Sequence, residues 1–472
     1  MSEKTRSCFQ ALTENQCKRV VDASYRILET TGVQVASPEV RDLLASRGCT
    51  VEGEIVRVPA TLMKWSVDAA PSRVQLYSRE GEPALILEPG GKVYFGTTIS
   101  TTETYDLETG ELRMTGRQDA ENFAVVADAL PNTDWMAAGV AVTDVPQAVA
   151  DIAEVQVLSK VTAKPFMYWA LSPENLQVEF DMFAAIAGSE EAFIQKPFAF
   201  NLICPQDPLI QPGHALDQVV FMAQKGAPFA YVSSAAFGLT SPMSVASGLA
   251  LSLANTLVGN LVAQLTREGT PYIAGKFMDN LDIATGKVRH GAPEFIIGNM
   301  ATGDIMRYLG LPFIVNYGGS DTYACDMIAA TDASLQAYCA QISGANLVFG
   351  PGSLGTGMVM SLEKLLFGDE MVQYVRAMDG FGIDDEDFYF DEIQEEGHGA
   401  AFLTADSTMD NMRDFYYPTL IKSRKKNQQE TLLSELTSKV KEIIAAGTKH
   451  PLDADKAAAV DAIMQRAAEA SA

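Results

Sequence analysis

The chain has 472 residues, of which 47% are hydrophobic and 20% charged, ordinary proportions for a globular protein with a large core. Its 60 acidic and 35 basic residues give a formal net charge of −25. Such a surface repels phosphate backbones and anionic lipid, which excludes nucleic acid and membrane surfaces as expected partners and tolerates a cationic small molecule.

The six cysteines (Cys8, Cys17, Cys49, Cys204, Cys325 and Cys339) include no Cys-x-x-Cys pair, and the four histidines (His214, His290, His398 and His450) no His-x-x-x-His pair. Neither a disulfide framework nor a compact metal motif is expected, and a reducing compartment fits best. The opening MSEKTRSCFQ lacks the apolar run of a signal peptide, and the apolar region near 228–262 is broken by Pro242 and several serines. No membrane span is expected, and the expected location is cytoplasmic.

Along the chain, residues 13–32 carry Val20, Val21, Tyr25, Ile27 and Leu28 at helical spacing, between a Thr13 cap and Gly32. A short helix follows over 38–47, with strands at 51–58 and 73–77, so residues 1–90 read as a small α+β cap. From Val93 a repeating order begins. Short apolar runs occur at 93–97, 134–140, 165–171, 198–204, 229–237, 272–277, 313–319 and 346–352. Helical patterns follow at 117–130, 146–162, 174–187, 214–225, 244–267, 292–309, 326–343 and 361–378. Strands too apolar to alternate are buried on both faces. Eight of them, each followed by a helix, predict an α/β fold, a closed (β/α)8 TIM barrel over 91–380. The rest, 381–472, predicts a helical extension (427–446 and 454–469) that packs on the barrel or on a neighbouring subunit of a homo-oligomer.

Barrel sites form at the C-terminal ends of the strands. Aromatic residues fall there: Tyr94 and Phe95, Tyr168 and Trp169, Phe237, Phe277, Tyr317 and Phe349. Ring faces attract a cation without N–H groups, so an aromatic mouth in an acidic protein suits a quaternary ammonium. Taken singly, each ring also fits an ordinary core. Gly318, Gly319, Gly350 and Gly352 cluster at the same level, where glycine lets a flat cofactor approach the backbone. Arg289 and His290 are placed to meet a substrate carboxylate. Lys276 raises a rival reading, a Schiff-base lyase or aldolase. Asp304, Asp321 and Asp326 are candidate counter-charges, with helix capping the alternative for Asp321.

Long ordered segments carry a resemblance. LTENQCKRVVDASYRILETTGVQV, RVPATLMKWSVDAAPSRVQLYSREG, GLTSPMSVASGLALSLANTLVGNLVAQL, GAPEFIIGNMATGDIMRYLGLP and SGANLVFGPG resemble the trimethylamine methyltransferase superfamily over nearly the whole chain. The chain looks like a member without pyrrolysine, because the window Asp326–Asp332, DMIAATD, holds ordinary residues. The resemblance implies a TIM barrel that moves a methyl group from a quaternary amine (glycine betaine, proline betaine, carnitine or γ-butyrobetaine) to Co(I). The corrinoid (cobalamin) is carried by a partner corrinoid protein. Co(I) is a strong nucleophile and the leaving group a neutral tertiary amine, so the chemistry needs orientation and cation holding. No catalytic acid or base and no protein-bound metal is then expected. The substrate-binding set is Tyr94, Phe95, Trp169, Phe237, Tyr317, Phe349, Arg289 and His290; the glycines are the corrinoid-facing set. A catalytically silent betaine-binding subunit is the non-enzymatic alternative. Two departures from the family pattern are Leu253-Ala254-Asn255 for its Asn-Ala-Glu, and Ser407-Thr408 for its His-Thr.

Overall fold

The computed structural model describes residues 9–275, 278–378, 385–422 and 431–470. Eight parallel strands form one curled sheet: β1 (Tyr94–Phe95), β2 (Met136–Ala137), β3 (Phe166–Tyr168), β4 (Ala199–Ile203), β5 (Phe229–Val232), β6 (Tyr272–Gly275), β7 (Phe313–Asn316) and β8 (Leu347–Phe349). The helices that follow them are α1 (Arg117–Ala129), α2 (Ala150–Val161), α3 (Pro173–Ala187) and α4 (Gly213–Lys225). The series continues with α5 (Val245–Thr266), α6 (Pro293–Leu309), α7 (Met327–Ser343) and α8 (Leu362–Ala377). This is the expected (β/α)8 order, and the strands neighbour one another as β1-β8-β7-β6-β5-β4-β3-β2.

The sheet closes where β1 meets β2. Asp134 N donates to Phe95 O at 2.7 Å, Ser100 N to Ala138 O at 2.7 Å, and Ala137 N to Thr97 Oγ1 at 2.9 Å. Gly96 permits this seam, since a Cβ there would lie 2.3 Å from the Trp135 ring.

Two apolar layers follow from the alternation of strand side chains. Trp135, Met167, Phe200, Ala230, Ile273, Ile314 and Leu347 fill the interior. Their neighbours Met136, Phe166, Tyr168, Phe229, Tyr272 and Phe313 pack outward against the helices. A hairpin of Val74–Tyr77 and Pro83–Leu87 adds Leu76, Leu85 and Leu87 to the interior and plugs the N-terminal end, where Tyr77 N bonds Pro197 O at 2.9 Å.

The opening helix, Glu14–Thr30, begins with the expected Thr13 cap as a reciprocal box with Gln16. It packs against α5 and α6, and strand Val33–Val35 pairs with Ile210–Gln211 from the loop after β4. Helix α5 is long and apolar enough to cross a membrane, but most of that length is buried inside the protein. Helix Leu432–Ala446 lies on α8 and α1, and Ala454–Ala470 on α2 and α3.

One element escaped the sequence reading. Glu103–Tyr105 and Leu112–Met114, from the loop after β1, join Ser353–Leu354 and Val359–Met360, from the loop after β8, in a four-stranded sheet.

Candidate active site at the barrel mouth

Strand β3 ends at Tyr168, and helix α3 starts after only four residues, with Ser172 Oγ accepting from Asn175 N and Pro173 at the first helical position. Asp151 fixes the short turn between them, accepting Leu171 N at 2.7 Å and Asn175 Nδ2 at 2.9 Å. Alternation turns Tyr168 outward and leaves Trp169 at the mouth. Trp169 lines a cavity of about 390 Å³ with Ile99, Ser100, Leu202, Cys204, His214 and Gln218. The wall is mostly apolar, with few polar groups, as small-molecule sites are.

The wall behind this cavity is unusually polar. Trp169 Nε1 donates to Glu154 Oε2 at 3.0 Å. Burial pushes the Glu154 carboxyl well above the ordinary carboxylate range, opposed by the Trp169 N–H. Glu179, from α3, is buried completely, and burial raises its carboxyl strongly, with the Asp151 and Glu154 charges adding to the rise. Asn201 Nδ2 donates to Gln218 Oε1 at 3.0 Å, and Gln218 Nε2 to Ala170 O at 3.0 Å, which ties β4 and α4 to the end of β3.

The other expected aromatic residues separate by face. Phe349 joins Ile99 and Leu202 in the interior cluster, and is not among the residues lining the cavity. Tyr94 is also interior, but its hydroxyl accepts Ile86 N at 3.2 Å from the plugging hairpin. Phe95, Phe237 and Tyr317 are corrections, because Phe95 on β1 and the two residues beyond the ends of β5 and β7 pack in the helical shell. Arg376 lies 5.6 Å over the Phe95 ring, Tyr317 Oη donates to Ile296 O at 2.9 Å, and Phe237 packs on Gly248 of α5. Lys276 and Phe277 lie outside the described residues.

On the opposite side of the mouth, Arg289 is exposed in the loop after β6, while His290 is buried against Phe295 at 4.8 Å, with Nε2 3.9 Å from Asp279. Asp321 accepts His290 N at 2.7 Å and Gly291 N at 3.0 Å. Asp326 caps α7, accepting Ile328 N and Ala329 N, and Asp304 bonds Ala11 N, Leu12 N and Arg307. These three carboxylates thus serve backbone and ion-pair roles.

The four glycines are packed by the chain's own atoms. A Cβ on Gly350, at φ 122°, would lie 2.5 Å from Tyr317 O. One on Gly318 would meet Pro351, one on Gly319 would meet His290, and one on Gly352 would meet Leu365. Lys364 sits beneath them, donating to Gly318 O and, at 2.9 Å, to Ser353 O; burial lowers its ammonium to about 8.

A family model described as trimethylamine methyltransferase (MTTB) matches residues 2–471. The chain belongs to that family. It is 28% identical to the trimethylamine methyltransferase MttB of Methanosarcina thermophila, covering 94% of each chain. It is equally identical, at 28%, to a glycine betaine methyltransferase of Desulfitobacterium hafniense (strain Y51), covering 87% of this chain and 86% of that one. Among solved structures, the monomethylamine methyltransferase MtmB of Methanosarcina barkeri superposes with a TM-score of 0.56 at 10% identity, over 96% of this chain and 86% of that one, a likeness of fold.

Both departures from the family pattern have structural partners. Asn255 donates to Asp207 Oδ1 at 3.0 Å and accepts from Gln211. Ser407 N donates to Glu392 at 2.9 Å, and Thr408 Oγ1 to Phe402 O at 2.6 Å. Glu154, Glu179 and Gln218 were missed as candidates from sequence. For Glu154 a signal existed: Asp151 and Glu154 stand three residues apart in an otherwise apolar helix, where charge is out of place.

Proposed function

We propose that this protein moves a methyl group from a quaternary amine of the betaine type to the Co(I) corrinoid of a partner corrinoid protein. The observation that carries this reading is the family match across residues 2–471, in a chain whose Asp326–Asp332 window contains only ordinary residues. A quaternary ammonium already has a neutral leaving group, whereas a neutral amine must first be made electrophilic, and this favours the quaternary substrate. The glycine betaine methyltransferase relative supports the same class.

The mouth supplies what such a reaction needs. Trp169 offers a ring face for the ammonium, and Ile99 and Leu202 exclude water around it. Among the described residues, no Lys or Arg lines this cavity to repel a cation. Co(I) supplies the nucleophile that takes the methyl group. Its carrier is a second substrate that must cover the mouth. The rim supports such docking, because the loops present apolar side chains: Leu171, Leu239, Met243, Ile283, Met327 and Met358, with Met327 87% exposed. The filled space beside Gly318 and Gly350 gives no support to a corrinoid seated on those glycines. Arg289 is the proposed carboxylate contact, since it is exposed on the same rim. A homo-oligomer is also proposed, with a second copy covering the exposed Phe390, Leu403, Phe415 and Tyr417.

Incubation with a reduced corrinoid protein and a panel of quaternary amines tests the reading. The expected outcome is spectroscopic methylation of the corrinoid by at least one betaine and by no simple methylamine. Methylation by trimethylamine alone overturns it.

A further inference from the structure

The wall behind Trp169 holds more acid than the methyl transfer requires. Asp151 and Glu154 from α2, Glu179 from α3 and the Tyr168 phenol from β3 are all buried. Asp151 is occupied by Leu171 N and Asn175. Among the described residues, both oxygens of Glu179 and the Tyr168 hydroxyl have no hydrogen-bond partner, and beside the indole only the Val142 backbone favours the Glu154 carboxylate. Among the described residues, no Lys, Arg or His offsets the charge of Glu154 or Glu179. Unpaired buried acid is costly. Among the described residues, the hydrogen bond that joins this group to the cavity wall runs from the Trp169 indole to Glu154.

Resting on the reading of the mouth as a quaternary ammonium site, we infer that Glu154 is its positioning residue. It fixes the Trp169 ring through the Nε1 bond, and as a carboxylate it supplies negative charge at the N–H edge of the ring. A donor polarised by an anion passes electron density to its π system, which strengthens the ring face toward a cation. Without a ligand, burial favours the protonated carboxyl. A cation on the ring face favours the carboxylate at its edge, so binding releases a proton to solvent and tightens as pH rises. The titratable groups facing Glu154 are Asp151 on its own helix, Glu179 on α3 and Tyr168 on β3; Cys204 and His214 face the cavity from the far side. Elsewhere on α2, Lys160 pairs with Asp461 of the last helix, and Gln156 bonds Arg117.

The test uses the full chain with tetramethylammonium and its neutral counterpart of similar shape, tert-butanol. Binding is followed by the indole N–H resonance of Trp169, assigned through Trp169→Phe, across a range of pH. The wild type is expected to prefer the cation by about tenfold or more, and increasingly at higher pH. Glu154→Gln, which keeps an acceptor for the indole, is expected to lose most of that preference and the pH dependence of the free resonance. Glu190→Gln, which removes an ion pair with Lys225 outside the cavity, is expected to keep both. A Glu154→Gln protein with wild-type preference and wild-type titration overturns the inference. A wild type with no preference for the cation overturns the reading of the mouth instead, while the ligand-free resonance still decides whether Glu154 holds the ring.

Discussion

The two sides of the barrel mouth solve the burial of polar groups in opposite ways. On the side of β7 and β8, every feature that suggests a ligand is turned inward on the protein. Lys364 bonds the carbonyls of Gly318 and Ser353, Gln336 accepts Gly318 N and donates to Gly319 O, and Asp321 accepts two backbone N–H groups. On the side of β3 and β4 there is open space in front of Trp169 and unpartnered oxygen behind it. Glycines and charges mark a site only when their close approaches and hydrogen bonds are left over after folding. By that measure the β3–β4 side is the proposed ligand side and the β7–β8 side is framework.

The largest expected effect tests the framework side. Gly350→Ala forces a Cβ to 2.5 Å from Tyr317 O at a left-handed φ, and should cost about 3 kcal/mol of stability by thermal or denaturant unfolding. The activity of the protein that remains folded should be unchanged. Intact stability with lost methyl transfer would instead mean that Gly350 faces the corrinoid, and would break the contrast. On the other side, Trp169→Leu should leave stability within about 1 kcal/mol, because the indole is only partly buried at the cavity. It should lower kcat/KM for the quaternary amine roughly 30-fold, mostly through KM, the loss expected when a desolvated cation–π contact goes.

The same contrast explains what was legible in the sequence. The barrel was readable because eight runs, buried on both faces, alternate with helices, a pattern that needs no knowledge of register. The faces were not. These strands are two to five residues long, and a shift of one residue exchanges interior for shell. Trp169 therefore lines the mouth cavity and Phe349 turns to the interior, while Phe95 and Tyr317, equally near strand ends, pack on helices. The sheet over the mouth was hidden for another reason: its strands pair Glu103 with Val359 and Thr104 with Met360, partners that no local pattern connects. The paired acids of α2 were visible as letters, but only the fold shows that Glu154 meets an indole.

A smaller effect concerns what covers the mouth. Ile283 and Leu239 are each 68% exposed on loops of the C-terminal face, with no packing role evident in the fold. Ile283→Asp should leave folding and amine binding unchanged and raise KM for the corrinoid protein about tenfold, a cost typical of a charge placed in an apolar contact. Steady-state kinetics with each substrate varied in turn separates the two. A change in amine KM alone would move Ile283 from the docking rim to the substrate site.

The smallest expected effect decides how far the substrate site extends across the mouth. Strands β3 and β6 lie three positions apart around the eight, so Trp169 and the loop after β6 that carries Arg289 approach the opening from different sides. Arg289 is exposed, with its backbone N–H bonded to Asn280 O at 2.7 Å, and charge attraction at such a position is weakened by solvent. Arg289→Ala should therefore raise KM for a betaine by no more than about threefold, with no change for tetramethylammonium, which has no carboxylate. A loss of about tenfold or more, confined to carboxylate-bearing substrates, would mean that a docked partner dries this edge of the mouth. The ligand would then bridge both sides, and the framework side would share in recognition through that one arginine.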